Sequence, residues 1–365
     1  MRRICVLAVL GASAIGLAAC GSSSNNSSGG GGGGSGSGPA TVNGAGSTFA
    51  APIYEQWAQT LGKTGLTVPY GPVGSGTGVT DLQTATVTFA GNDSPLKSDD
   101  RSGAKGPLLE FPVAFGAITV SYNLPGVKTG LKLDGPTIAD IFLGKITKWN
   151  DAAIQKLNPG VSLPSTSITV VHRSDSSGTT AGYTTYLSDV SPEWKSKVGT
   201  DKIVKWPTGT GAAHNSGVAA AVKQTTGGVG YVEQAYAIEN NFTYASVKNS
   251  AGKWILPSLP ATSAASQGIA VPSDLGIETV NSPNPTAYPI ASQTFLDVYK
   301  DPCKSDGASK TVANGLKAFL TYALGAGQKT LGSGSGELPY APLTPDLVAK
   351  DKAQLATMTC NGSTL

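Results

Sequence analysis

Apolar positions along this chain change period many times, and the changes mark its elements. Phe49, Ile53, Trp57 and Leu61 recur every fourth residue, which puts them on one stripe of a helix. Val312, Leu316, Phe319, Leu320 and Ala323 form a second stripe near the end of the chain. Between them lie β-rich runs at 86–90, 167–172, 228–232 and 295–299, with an unusually long one at 108–122. Shorter helical patterns fit 135–142, 151–157 and 218–223, and 344–358 reads as a last helix with Pro345 in its first turn. Gly and Pro punctuate the junctions, and no segment repeats another. Strands alternating with helices predict an α/β protein, and the body from residue 39 onward is long enough for two lobes.

The first forty residues depart from this pattern. Arg2 and Arg3 precede an apolar run at 4–19 that is too short to span a bilayer comfortably. It ends in Leu17-Ala18-Ala19-Cys20, which resembles the lipobox of bacterial lipoproteins. That resemblance implies removal of 1–19 as a signal peptide and acylation of Cys20; the alternative is an ordinary secreted protein with an incidental cysteine. Residues 21–38 are all Gly, Ser or Asn and cannot bury a core. A flexible coil of that length reaches roughly 25 Å on average, so 20–40 reads as a lipidated cysteine plus a tether that holds the body off a membrane.

Loss of the leader takes two of the 26 basic residues and leaves 24 against 23 acidic ones. A near-neutral chain with no basic run argues against nucleic acid as a partner. Cys5 goes with the leader and Cys20 with the anchor, which leaves Cys303 and Cys360. In an oxidising compartment an even pair reads as one disulfide, two separate buried thiols being the other possibility.

His172 and His214 are the only histidines, and neither has a metal-ligating partner at useful spacing. There is no HExxH, no CxxC, no nucleophile elbow and no P-loop lysine, so the sequence calls for no cofactor. It offers instead three turns of Gly, Ser and Thr where helices begin. In Gly44-Ala45-Gly46-Ser47-Thr48-Phe49, Thr48 is expected to cap the helix of Phe49. Gly74-Ser75-Gly76-Thr77-Gly78 opens a helix to about Thr84. Arg173-Ser174-Asp175-Ser176-Ser177-Gly178-Thr179 follows the strand at 167–172. Helix N-termini present unpaired N–H groups and partial positive charge, so they bind anions with few cationic side chains. Ser and Thr are also ordinary caps, and each turn alone says little. The third is sharper, because a guanidinium at a strand end meets a fan of backbone donors.

These turns, with 89–96 (Phe-Ala-Gly-Asn-Asp-Ser-Pro-Leu), 144–151 (Gly-Lys-Ile-Thr-Lys-Trp-Asn-Asp), 227–233 (Gly-Gly-Val-Gly-Tyr-Val-Glu) and 340–343, resemble consecutive motifs of the phosphate-specific substrate-binding proteins of bacterial high-affinity phosphate ABC transporters. The resemblance implies a two-lobed periplasmic-binding-protein fold of type II with two crossovers between lobes. Lobe I would comprise 41–117 and 286–365, and lobe II 118–285. It places phosphate ligands on Thr48, Phe49, Ser75, Asp93, Arg173, Ser177, Gly178 and Thr179, with Asp175 behind them orienting Arg173. Phe49 and Gly178 would act through backbone N–H groups. The implied partners are inorganic phosphate and the transmembrane subunits of an ABC importer, with the chain a lipid-anchored monomer. Ser47, Ala50, Gly76-Thr77 and Asn92 depart from the commonest family wording without replacing a ligand. Residues 144–151 and 227–233 hold no implied ligand. Ile146, Trp149 and Tyr231 read there as packing, contact with the membrane subunits being the alternative.

Asp93 is the informative position, because a carboxylate beside an anion repels it. Phosphate at neutral pH keeps a proton that Asp93 can accept, whereas sulfate keeps none and meets an unpaired buried charge. As a residue near Pro95, Asp93 also fits an ordinary turn. Rival readings are a secreted phosphatase on the same scaffold, a binder of sulfate, molybdate or arsenate, and a surface receptor that only senses phosphate.

Overall fold

The computed structural model describes residues 40–365; Cys20, the leader and nearly all of the tether lie outside the described residues. Nine strands form one sheet. Across it they run Tyr70–Gly71, Gly44–Gly46, Phe89–Asn92, Ala291–Tyr299, Leu108–Asn123, Gly228–Glu233, Thr169–Arg173 and Thr210–Ala212, and Thr243–Tyr244 adds a further pairing to Leu108–Asn123. The outer groups on each side are parallel. Two antiparallel strands join them. Leu108–Asn123 belongs to both sides: its 108–117 part pairs with Ala291–Tyr299, and 118–123 pairs with Gly228–Glu233. The long apolar run is long because it serves two halves of a sheet, and it is buried over nearly its whole length.

Helices cover the sheet where their stripes require it. Ala51–Gly62 buries Ile53, Tyr54, Trp57 and Leu61, and Lys310–Ala323 buries Leu316, Phe319, Leu320 and Ala323. The two stripes meet, with Trp57 edge-on to Phe319 at 6.4 Å between ring centroids. In the other half Phe142, Trp149, Tyr183 and Trp194 are fully buried. Ile146, Trp149 and Tyr231 are core residues too, in keeping with their reading as packing.

Several boundaries move for local reasons. The strand expected at 86–90 is Phe89–Asn92, because Thr86 and Val87 donate to Asp81 O in the turn that ends the preceding helix. The helix expected at 218–223 is His214–Gln224, and the strand at 295–299 starts earlier, at Ala291. Thr344 caps the final helix, Pro345–Leu355, by accepting from Leu347 N–H. Cys303 and Cys360 form a disulfide across 57 residues, which ties the Pro302–Ser305 turn of helix to the last hairpin.

Candidate anion-binding site

The residues singled out in the sequence lie where strands end. Thr48 follows Gly44–Gly46, Ser75 follows Tyr70–Gly71, Asp93 follows Phe89–Asn92, and Arg173 closes Thr169–Arg173. In both halves these are the carboxyl ends of parallel strands, the edge at which open α/β sheets leave room for a ligand. The two edges face each other, and the halves touch there: Gly76 N–H donates to Ser176 O at 3.1 Å.

Asp93 is fully buried. Its Oδ1 accepts from Ser47 Oγ at 2.6 Å and Thr294 Oγ1 at 2.8 Å, and its Oδ2 accepts from Ser75 Oγ at 3.1 Å. Burial pushes its carboxyl above the usual range, while the three hydroxyls and the charge of Arg173 pull the other way. Arg173 is buried as well. Asp175 takes its Nε–H at 2.7 Å and one Nη, and Nη1 is left to face Thr179 Oγ1 at 3.4 Å. Burial alone would raise Asp175, but the guanidinium holds it below the usual carboxylate range. The expected pairing of Asp175 with Arg173 is therefore present. Asp175 also accepts from His214 N–H at 3.0 Å, which helps hold His214 at φ +67°, in the left-handed region.

Helix Gly178–Val190 points its first turn at the same place. Ser177 Oγ accepts from Thr180 N–H at 3.1 Å, which leaves the hydroxyl hydrogen of Ser177 to donate elsewhere. The N–H groups of Gly178 and Thr179 have no acceptor within their own helix. A Cβ built on Gly178 would stand 2.6 Å from Asp93 Oδ2 and 2.7 Å from Ser75 Oγ, so only glycine lets this turn approach the opposite half.

The expected cap at Thr48 is not formed. Helix Ala51–Gly62 starts later, with Pro52 in its first turn and no side-chain cap; it is Ser47 Oγ that accepts from Ala50 N–H, at 3.1 Å. Thr48 Oγ1 instead accepts from Asn215 N–H at 3.2 Å and Nδ2 at 3.0 Å. Asn215 also donates to Thr179 Oγ1 at 3.2 Å, so one fully buried amide links the first turn to the third. Asn215, Ser47 and Thr294 were missed in the sequence. Asn215 was hidden because the helical pattern in the sequence begins only at 218 with no strand just before it, whereas the helix starts at His214 just after Thr210–Ala212. Ser47 and Thr294 became legible only once Asp93 was placed. Phe49 stands ahead of its helix with its ring buried and its carbonyl accepting from Tyr340 Oη at 2.6 Å.

The structure thus gathers Thr48, Ser75, Asp93, Arg173, Gly178 and Thr179 into one buried cluster of hydroxyls, amides, one cation and one acid, with Phe49 and Ser177 at its edge. Among the described residues no group of His, Cys, Asp and Glu could hold a metal. An α/β body of two lobes with helix N-termini and hydroxyls meeting between them is the architecture of type II periplasmic binding proteins. Residues 33–326 match the PBP superfamily domain. The chain is 40% identical over 320 residues, 87% of its length and 85% of the relative's, to the phosphate-binding protein PstS of Xylella fastidiosa (strain 9a5c). It is 41% identical to that of Pasteurella multocida (strain Pm70), over 87% of this chain and 90% of the relative. A solved high-affinity periplasmic phosphate-binding protein (PfluDING) bound with phosphate shares the fold at TM-score 0.67 and 21% identity, over 86% of this chain and 93% of that one. The chain belongs to the PstS family of phosphate-binding proteins.

Proposed function

We propose that this protein binds inorganic phosphate outside the cytoplasmic membrane, between two lobes that close on it, and delivers it to the transmembrane subunits of an ABC-type importer. The observation that carries the reading is the pairing of Asp93 with a hydroxyl-rich, arginine-bearing, helix-capped cluster, in a chain of the PstS family. One guanidinium undersupplies charge for a desolvated anion. Oriented N–H and O–H groups make up the difference without reorganising.

In this reading Thr48, Ser75, Arg173, Ser177 and Thr179 donate through side chains, Phe49 and Gly178 through the backbone, and Asp93 accepts the proton that phosphate retains. Asp175 fixes the Arg173 fork. Lobe I is 41–117 with 286–365, and lobe II is 118–285; their closure follows from an anion that bonds both at once. The chain acts as a monomer held to the membrane through Cys20, and it binds without catalysing.

Calorimetric titration of the purified protein with phosphate and with sulfate tests this. Tight phosphate binding with no sulfate response is expected. No heat with phosphate in folded protein would overturn the reading, and steady turnover of a chromogenic phosphate ester would overturn the non-catalytic part.

A further inference from the structure

Residues 227–233 carry a family motif but no proposed ligand, and packing accounts for Tyr231 without accounting for Glu233. That residue closes strand Gly228–Glu233 and is fully buried. Its Oε2 accepts from Ala235 N–H at 2.7 Å and lies 2.9 Å from Tyr340 Oη. Tyr340 Oη also lies 2.6 Å from Phe49 O. A carbonyl can only accept, so the single phenolic hydrogen is committed to Phe49. The contact between Oη and Oε2 then needs a hydrogen from Glu233. The other carboxyl oxygen, Oε1, has no partner among the described residues, and a Cβ built on Gly116 would stand 3.2 Å from it, beside the Phe49 ring. A buried, unpaired oxygen is costly on a carboxylate and far cheaper on the C=O of an acid.

Three residues further on, Tyr236 Oη donates to Thr48 O at 2.6 Å. Thr48 C=O and Phe49 N–H belong to one trans peptide and point in opposite directions. Anchoring the oxygen on Tyr236 therefore aims the nitrogen the other way, and polarising that oxygen makes the N–H a better donor. The following peptide is held at its own oxygen by Tyr340.

We propose that Glu233 is an un-ionised acid that locks Tyr340 onto Phe49, and that Tyr340 and Tyr236 together hold the 48–50 backbone so that Phe49 N–H points at the anion. Glu233 and Tyr236 are positioning residues, and the role given to them rests on the phosphate-binding reading. The titratable groups that face Glu233 are Tyr340, Tyr236 and Asp93. Burial raises its carboxyl well above the usual range and the charge of Asp93 adds to that, against the opposing bonds from Ala235, Tyr340 and Gln234.

The test takes the full chain in two measurements. An infrared difference spectrum at neutral pH, wild type minus Glu233→Gln, is expected to contain the C=O stretch of a protonated carboxylic acid. Titration with inorganic phosphate is expected to leave Glu233→Gln clearly tighter than Glu233→Leu, since an amide NH₂ in the place of Oε2 keeps the donor to Tyr340 while giving up the bond from Ala235 N–H. Glu233→Leu and Tyr236→Phe are each expected to bind about fivefold more weakly or worse, the loss of one hydrogen bond. Absence of the acid band overturns the proposal. So does a Glu233→Gln affinity as poor as that of Glu233→Leu, or a wild-type affinity in Glu233→Leu or Tyr236→Phe. Wild-type protein that bound no phosphate would defeat the functional reading instead, and the infrared band would still decide the state of Glu233.

Discussion

Asp93→Asn separates charge from shape at the site. The amide is the same size, and the neighbours of Asp93 are hydroxyls that can reverse their bonds. The carbonyl end would stay where Ser47 and Thr294 now donate to Oδ1, at 2.6 and 2.8 Å. The NH₂ would then take the place of Oδ2, the oxygen nearest Gly178. Phosphate loses an acceptor for its proton, a hydrogen bond to a charged group worth about 1.5–3 kcal/mol. Sulfate is relieved of a buried like charge to which it can donate no hydrogen, an effect of roughly the same size. Together these amount to about 3–6 kcal/mol, so the preference for phosphate over sulfate should fall by two to four orders of magnitude, roughly. Competitive calorimetry with the two anions measures the ratio directly. A substituted protein that folds normally and keeps the wild-type ratio would refute the role of Asp93 as proton acceptor.

Other expectations follow from the packing. Gly178→Ala puts a methyl within 2.6 Å of Asp93, so phosphate affinity in calorimetric titration should fall at least tenfold, and the same overpacking should cost the ligand-free protein about 1–3 kcal/mol in denaturation; wild-type affinity would count against this. Asp351 lies in the apolar stripe of the last helix with both carboxyl oxygens unpartnered among the described residues, and burial pushes it up to about 9. A carboxyl raised in the fold contributes most below its unfolded value, and that contribution is lost as pH climbs toward the folded one. Asp351→Ala should therefore stabilise by on the order of 2–4 kcal/mol near neutrality and by little at about pH 4; a pH-independent difference in denaturation midpoint would count against this. Replacing Cys303 and Cys360 together by Ala opens a loop of 57 residues and should cost about 2–4 kcal/mol in chemical denaturation, whereas an unchanged midpoint would mean the bridge constrains nothing.

The helices with clear stripes were legible because burial is periodic, and the long strand because burial on both faces leaves no polar alternation. The cap of the first helix was misassigned to Thr48 because two adjacent hydroxyls compete for one role. What decides between them is Asn215, far away in sequence, whose amide claims Thr48 and leaves Ser47 to accept from Ala50. The start of the strand at Phe89 was obscured in the same way by a turn bonded to Asp81. Asp93 was found through a resemblance, since in the bare sequence it is an acid near a proline. Glu233 and Tyr340 were beyond reach, because their meaning lies in one shared hydrogen between residues 107 positions apart.

The shared strand has a consequence for how the chain is made. Residues 108–117 wait for a neighbour that appears only at Ala291–Tyr299, whereas 118–123 receive theirs at Gly228–Glu233. As the chain emerges, the half that comes second in sequence can close first, and the half that was started first holds an open, apolar edge in the meantime. Such an edge invites pairing with other chains, so any delay between residues 123 and 291 lengthens the exposure. Once Ala291–Tyr299 has zipped in, 108–117 and 118–123 are both paired along one continuous strand, so unfolding either half frees the end of a strand that the other still holds, and the two should melt as one.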